Sequence, residues 1–376
     1  MRAQTPSEVL YVLQKRYNSI KQDNYRLYAS SDEELADFFD PDALAYAKKM
    51  LEEDIDSVPN HFQNPITYHV LRLAIKTFKT CLKADSFFFN GRDVDLLDVP
   101  THWGSLDGFD LSASVCAPNG EPLIILNEGA IITVKAVSQI VASILSRDNL
   151  LDNEPDPDVL FSHIYSSSCL NDVRAFIEHL LSYQIFGGII PRKERAVPTS
   201  EIEIGILSNL INGSYLYIVA HEYAHYLLGH LDRKRFLNIN YEKDKINELS
   251  NQKQEELDAD CLAVQLLSSS EETFDGFNGF ILVMGLFNTF SHLDSRAGRT
   301  VSKTHPSGLD RIDYVLAESE VTSPDGISTW LLYICTFLLA GHDHFSDYLS
   351  EKHIEISEDN YPRMLSLLYE EYNFGA

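Results

Sequence analysis

The sequence predicts an α+β fold in which helices dominate and the strands form one small sheet. Three observations carry this. Apolar residues recur at helical spacing over long stretches, as in "AIITVKAVSQIVASILSR" (130–147). Strand-like text is confined to one region, 86–129. Inside that region Asn119–Gly120 sits between two apolar runs, a strong hairpin signal.

Taken in order, residues 6–58 read as helical with acidic faces, so residues 1–58 form an N-terminal helical segment suited to restraint or recruitment. "PNHFQNP" (59–65) reads as a linker, and 64–376 as the main domain. A helix follows in "ITYHVLRLAIKTFKTCLKA", then strands in "SFFFNGRDVDLLDV" and "FDLSASVCAPNGEPLIILNEG". From Ala130 the chain is mostly helical, with exposed loops at "EPDPD" and "PRKERAVPTS" around a further helix. Ser200 with Glu203 fits a capping box. The polar, lysine-rich stretch 231–255 reads as a loop with partial helix. "WLLYICTFLLAG" (330–341) is the most membrane-like segment. It is about a dozen residues long where a spanning helix needs roughly 20, so it reads as a buried core helix.

The chain has 376 residues, 44% of them hydrophobic, enough to bury a core without disulfide staples. Fifty-six acidic residues against 30 basic ones give a formal net charge of −26. That balance disfavours nucleic acid as a partner, since such binding needs a basic footprint. The five cysteines (81, 116, 169, 261 and 335) are scattered and form no Cys-x-x-Cys, which suits reduced thiols in the cytoplasm. The N-terminus has neither the apolar core nor the cleavage site of a signal peptide.

One stretch departs from its surroundings. "IVAHEYAHYLLGH" (218–230) sets three histidines and a glutamate in an apolar run. His221 and His225 are four residues apart, which on a helix places them side by side, about 40° apart on one face. Two imidazoles so placed can share one zinc ion, while Glu222 can take a proton from water at the metal's open side. The motif alone arises by chance in some chains, leaving a surface helix as the plain alternative. Uncharged flanks favour the metal reading, because burying unpaired imidazoles and a carboxylate is costly. His230 is the nearby candidate for a further ligand, but on a continuing helix it faces away, about 140° around from His225. It reads instead as a helix-end residue beside a capping Gly229. The metzincin pattern is not met either, because Leu228 and Leu231 stand where it needs Gly and His.

Further along, "QEELDADCLAVQLL" places Glu256 and Asp260 one helical turn apart. This resembles the Glu-x-x-x-Asp signature of the gluzincin metallopeptidases. "ELDAD" is close to the form seen in CaaX-prenyl-protease-like metallopeptidases and their soluble relatives, with Asp258 at the middle acidic position. The resemblance implies a zincin-like fold, Glu256 as the third zinc ligand and Asp260 as the carboxylate that orients a ligand histidine. An acidic first turn of a helix is the alternative reading. "THPSGLDRI" (304–312) resembles the His-Pro…Arg-Ile element of the same family. It implies Pro306 in the first turn of a helix and His305 facing the substrate to stabilise an oxyanion, a plain helix-start histidine being the alternative. "HEYAHYLLGH" is also similar to the zinc helix of phage-immunity repressor peptidases and of phage-exclusion (Lit-type) peptidases, so the branch stays open.

Zincin sheets present an edge strand that pairs with extended substrate. "PLIILNEG" (122–129) is the expected edge strand, with a buried hairpin strand as the alternative. The reading is then a soluble, cytoplasmic, zinc-dependent endopeptidase with no membrane span, acting on a protein or peptide. His221, His225 and Glu256 would hold Zn2+, and Glu222 would be the general base. A non-catalytic metal-binding regulator or sensor on the same fold is the alternative, and the intact Glu222 argues against it.

Overall fold

Asn119 and Gly120 both adopt positive φ (57° and 88°) and reverse the chain between strands β4 (Ala113–Cys116) and β5 (Leu123–Asn127). These pair antiparallel with Cys116 opposite Leu123, in line with the hairpin signal. The computed structural model describes residues 5–18, 62, 65–81, 86–89, 92–95, 100–108, 112–148, 150–152, 154–188, 200–231, 245–268, 276–299, 305–319 and 326–372. Most of the expected helix over 6–58, most of the 59–65 linker and the first part of the 231–255 segment lie outside them. Among the described residues the fold is α+β and mostly helical. Strands β1 (Ser86–Phe89) and β2 (Arg92–Asp95) form an antiparallel pair of their own.

Strand β3 (His102–Leu106) pairs parallel with β5 on the side opposite β4, so the sheet order is β3-β5-β4. This corrects the expectation that residues 122–129 offer an edge: β5 is the central strand. The physical reason is visible in its side chains. Ile124 and Leu126 enter the main core, while Leu123 and Ile125 join Leu10 and Cys116 in a second cluster on the other face. A strand buried on both faces reads as an unbroken apolar run, and such strands lie inside sheets.

The second face is covered by α1 (Pro6–Tyr17), which Thr5 caps in a box with Glu8. Gly104 of β3 is small where it must be, since a Cβ there would strike the Leu10 side chain. Gln14 Nε2 and Asn18 Nδ2 donate to the Ser105 carbonyl at 3.1 and 3.0 Å. His102 bonds toward β5, so Ser105, three residues on, turns its carbonyl outward and α1 closes that side of β3. Among the described residues β4 is therefore the other edge strand of this sheet. The Asn127 amide donates to the Ser112 carbonyl, which leaves the backbone groups of Ala113 and Val115 pointing away from β5.

The other helices are α2 (Pro65–Cys81), α3 (Glu128–Leu145), α4 (Pro157–Ile164), α5 (Leu170–Phe186), α6 (Glu201–Leu227), α7 (Lys245–Ser268), α8 (Gly276–Arg296), α9 (Gly308–Glu318), α10 (Gly326–Glu351) and α11 (Tyr361–Glu371). Pro157 opens α4, so the "EPDPD" loop ends as a helix start, capped by the Asp156 carboxylate. Helix α6 runs through the centre, packed by α2, α3, α7 and α8. At Gly279 of α8 the two backbones meet, because a Cβ there would collide with the backbone of Gly213 and Ser214. That close crossing holds α8 rigidly against the site-bearing helix.

Among the described residues two helices, α3 and α6, are long and apolar enough to cross a membrane by length and composition. Of these, α3 is packed inside the protein over most of its length. The "WLLYICTFLLAG" segment lies within α10, with Trp330, Leu331, Ile334, Cys335 and Leu338 buried. Cys116, Cys169, Cys261 and Cys335 are buried free thiols.

Candidate metal centre

Helix α6 starts where Ser200 Oγ accepts the Glu203 amide at 3.1 Å. It carries His221, Glu222 and His225 at its far, buried end. Val219, Ala220, Tyr223 and Ala224 around them are buried, so the core fixes the helix's rotation. Helix α7 crosses it and brings Glu256 to the same point. His221 Nε2 lies 3.1 Å from His225 Nε2 and 3.4 Å from Glu256 Oε2, and His225 Nε2 lies 3.5 Å from Glu256 Oε1.

These donors fit a small cation. For ligand bonds of about 2.0–2.1 Å, neighbouring corners of a tetrahedral zinc site lie about 3.3 Å apart. Two imidazole nitrogens 3.1 Å apart, with the two Glu256 carboxylate oxygens 3.4 and 3.5 Å from them, are spaced as three donors of such a site would be.

The electrostatics match. Burial resists charging His221, but Asp260 and Glu256 outweigh it and raise its pKa to about 10. In His225, burial and then the charge on His221 push the pKa down to about 3. Against the upward push of burial, His221 and His305 hold the Glu256 carboxyl well below the usual carboxylate range. One positive charge is thus favoured among these side chains, on His221, and a second is resisted at His225. Burial lifts the pKa of Glu222 to about 7, with the charge on His221 acting the other way. A carboxyl poised near neutrality is suited to exchanging protons.

Behind the donors lies a buried polar layer. Asp260 Oδ1 is 2.8 Å from His221 Nδ1, at ion-pair distance and off the line of an ideal hydrogen bond. Tyr217 donates its hydroxyl to Asp260 Oδ1 at 2.5 Å, and Arg311 grips both carboxylate oxygens. Sequence reasoning assigns Tyr217 and Arg311 no role. The signal for Tyr217 is its position one turn before His221, on the same face. Arg311 lies inside the "THPSGLDRI" element, but its partner is visible only in three dimensions.

Asp258 faces elsewhere, accepting from Gln254 at 2.8 Å and Tyr314 at 3.4 Å. His305 reaches the site, with its Nδ1 3.1 Å from Glu256 Oε2 and its ring edge-on to Phe287. Pro306 is not in the first helical turn. Ser307 caps α9 in a box with Asp310, so the helix begins at Gly308 and Pro306 precedes the cap. A Ser three residues before Asp satisfies the first amides better than a proline start.

His230 is the helix-end residue beside Gly229 that the sequence reading expects, and the helix does not continue through it. It does not face away: its Nδ1 is 3.1 Å from His225 Nδ1. Gly229, at φ 73°, ends the helix and turns the chain back.

No curated protein and no solved structure matches the chain. Residues 187–332, which include every donor and every residue of the polar layer behind them, match the peptidase U49 family model, and that match supports a peptidase.

Proposed function

We propose that this chain is a zinc-dependent endopeptidase of the gluzincin type. The observation that carries the reading is the triangle of His221, His225 and Glu256, with Glu222 buried beside it. When bound there, zinc supplies a Lewis acid that polarises the substrate carbonyl and acidifies water. Glu222 accepts the proton of the attacking water and returns it to the leaving amine, a task its raised pKa suits. Asp260 orients His221, while Arg311 and Tyr217 hold Asp260 in place. His305, 37% exposed at its side chain, is the ring that can turn its second nitrogen toward an oxyanion. The outward backbone groups of Ala113 and Val115 on β4, which packs against α6, can align an extended substrate by strand addition. Four buried free thiols suit a reducing compartment such as the cytosol.

The test is Glu222→Gln, which keeps size and removes the base. Zinc content should stay at about one per chain, while new protein N-termini in cells expressing the variant should disappear. Loss of general-base catalysis typically costs about 10²–10⁴-fold in rate. Wild-type cleavage by this variant would overturn the mechanism.

A further inference from the structure

We infer that His230 is a positioning residue that fixes the tautomer and ring orientation of His225, an inference that rests on the metal-site reading above. Helix α6 ends in a defined hydrogen-bond pattern. The His230 amide donates to the His225 carbonyl at 3.0 Å and the Gly229 amide to the Tyr226 carbonyl at 3.1 Å. With Gly229 in the left-handed region, this pair of bonds is a Schellman ending. That motif brings the second residue past the cap onto the residue five positions earlier, a contact that is usually apolar. Here both residues are histidines, with ring centroids 5.2 Å apart and Nδ1 atoms 3.1 Å apart.

Two Nδ1 atoms at that distance need one hydrogen between them. His225 turns its Nε2 to His221 and Glu256, where a lone pair is required for ligation. Its neutral ring therefore carries hydrogen on Nδ1 and donates it, and His230 Nδ1 accepts. The two ligand histidines thus have unlike supports. His221 leans on a carboxylate, Asp260, and His225 on a neutral imidazole delivered by a helix ending. Metal-binding histidines commonly depend on such outer partners to hold the ligating nitrogen in place.

The test uses the full-length chain with His230→Leu, which cannot accept, and His230→Asn, which can. Zinc affinity is measured by competition with a chromophoric chelator. The His225 tautomer is read from its ring ¹⁵N shifts in zinc-free protein. His230→Leu should weaken zinc about 10–100-fold and replace a single His225 tautomer with a mixture. His230→Asn should restore most of both. Wild-type affinity and one tautomer in His230→Leu would overturn the inference. Glu256→Ala separates the two readings. If it too leaves zinc binding unchanged, the metal site itself is wrong; if it abolishes binding while His230→Leu does not, only the role of His230 falls.

Discussion

Arg311 holds Asp260 through two hydrogen bonds, Nε to Oδ2 at 2.5 Å and Nη2 to Oδ1 at 2.6 Å, and both side chains are buried. Its guanidinium also lies 3.6 Å from Glu256 and over the ring of Phe287. One cation thus offsets two carboxylates of α7. Arg311→Met should leave Asp260 buried without its main partner and cost about 3–5 kcal/mol of stability. Urea unfolding measures this, and a midpoint equal to wild type would show that Tyr217 and His221 suffice to hold the carboxylate.

Asp260→Asn keeps the shape of the side chain but removes the charge facing His221. Zinc affinity should fall by about 10–100-fold with the fold intact. Asp258→Asn, whose carboxylate contacts Gln254 and Tyr314 instead, should change zinc affinity far less. Equal losses in the two variants would remove the orienting role from Asp260.

Away from the site, Asp343 of α10 ties that helix to α8 through His292 at 2.9 Å and Arg296 at 2.6 Å. Burial resists ionisation, but His342, Arg296 and His292 bring the pKa of Asp343 down from 3.8 to about 2. A depressed carboxyl pKa stabilises the fold above the unfolded value, and this contribution is lost as pH falls through the folded one. Asp343→Asn should therefore lower Tm at neutral pH. The gap to wild type should close between about pH 4 and pH 2, and a gap constant across that window would rule out the linkage.

Leu10 fills the second face of the sheet at Gly104. Leu10→Ala should cost about 2–5 kcal/mol. Gly104→Ala should also destabilise, because its new methyl meets Leu10. The double substitution should then cost less than the two added together, the signature of residues in contact. Strict additivity in equilibrium unfolding would mean that α1 does not pack there.

Features set by local period were legible in the sequence alone. His221 and His225 share a helix face because a helix turns every 3.6 residues, and Glu256 and Asp260 share one for the same reason. The Asn119–Gly120 reversal was equally legible, since positive φ is a property of those residues. The Ser307–Asp310 cap is just as local, although Pro306 beside it reads as the helix start. Tertiary structure decided whatever depends on partners far along the chain. Whether β5 is an edge depends on β3 and on α1, which arrives from more than a hundred residues earlier to bury Leu123 and Ile125. Arg311 reaches Asp260 only because α9 folds back onto α7. His230 stands between the two cases. Gly229 announced the end of the helix, but only the turned-back chain, with its carbonyl bond to His225, shows that the third histidine of the motif points toward the site.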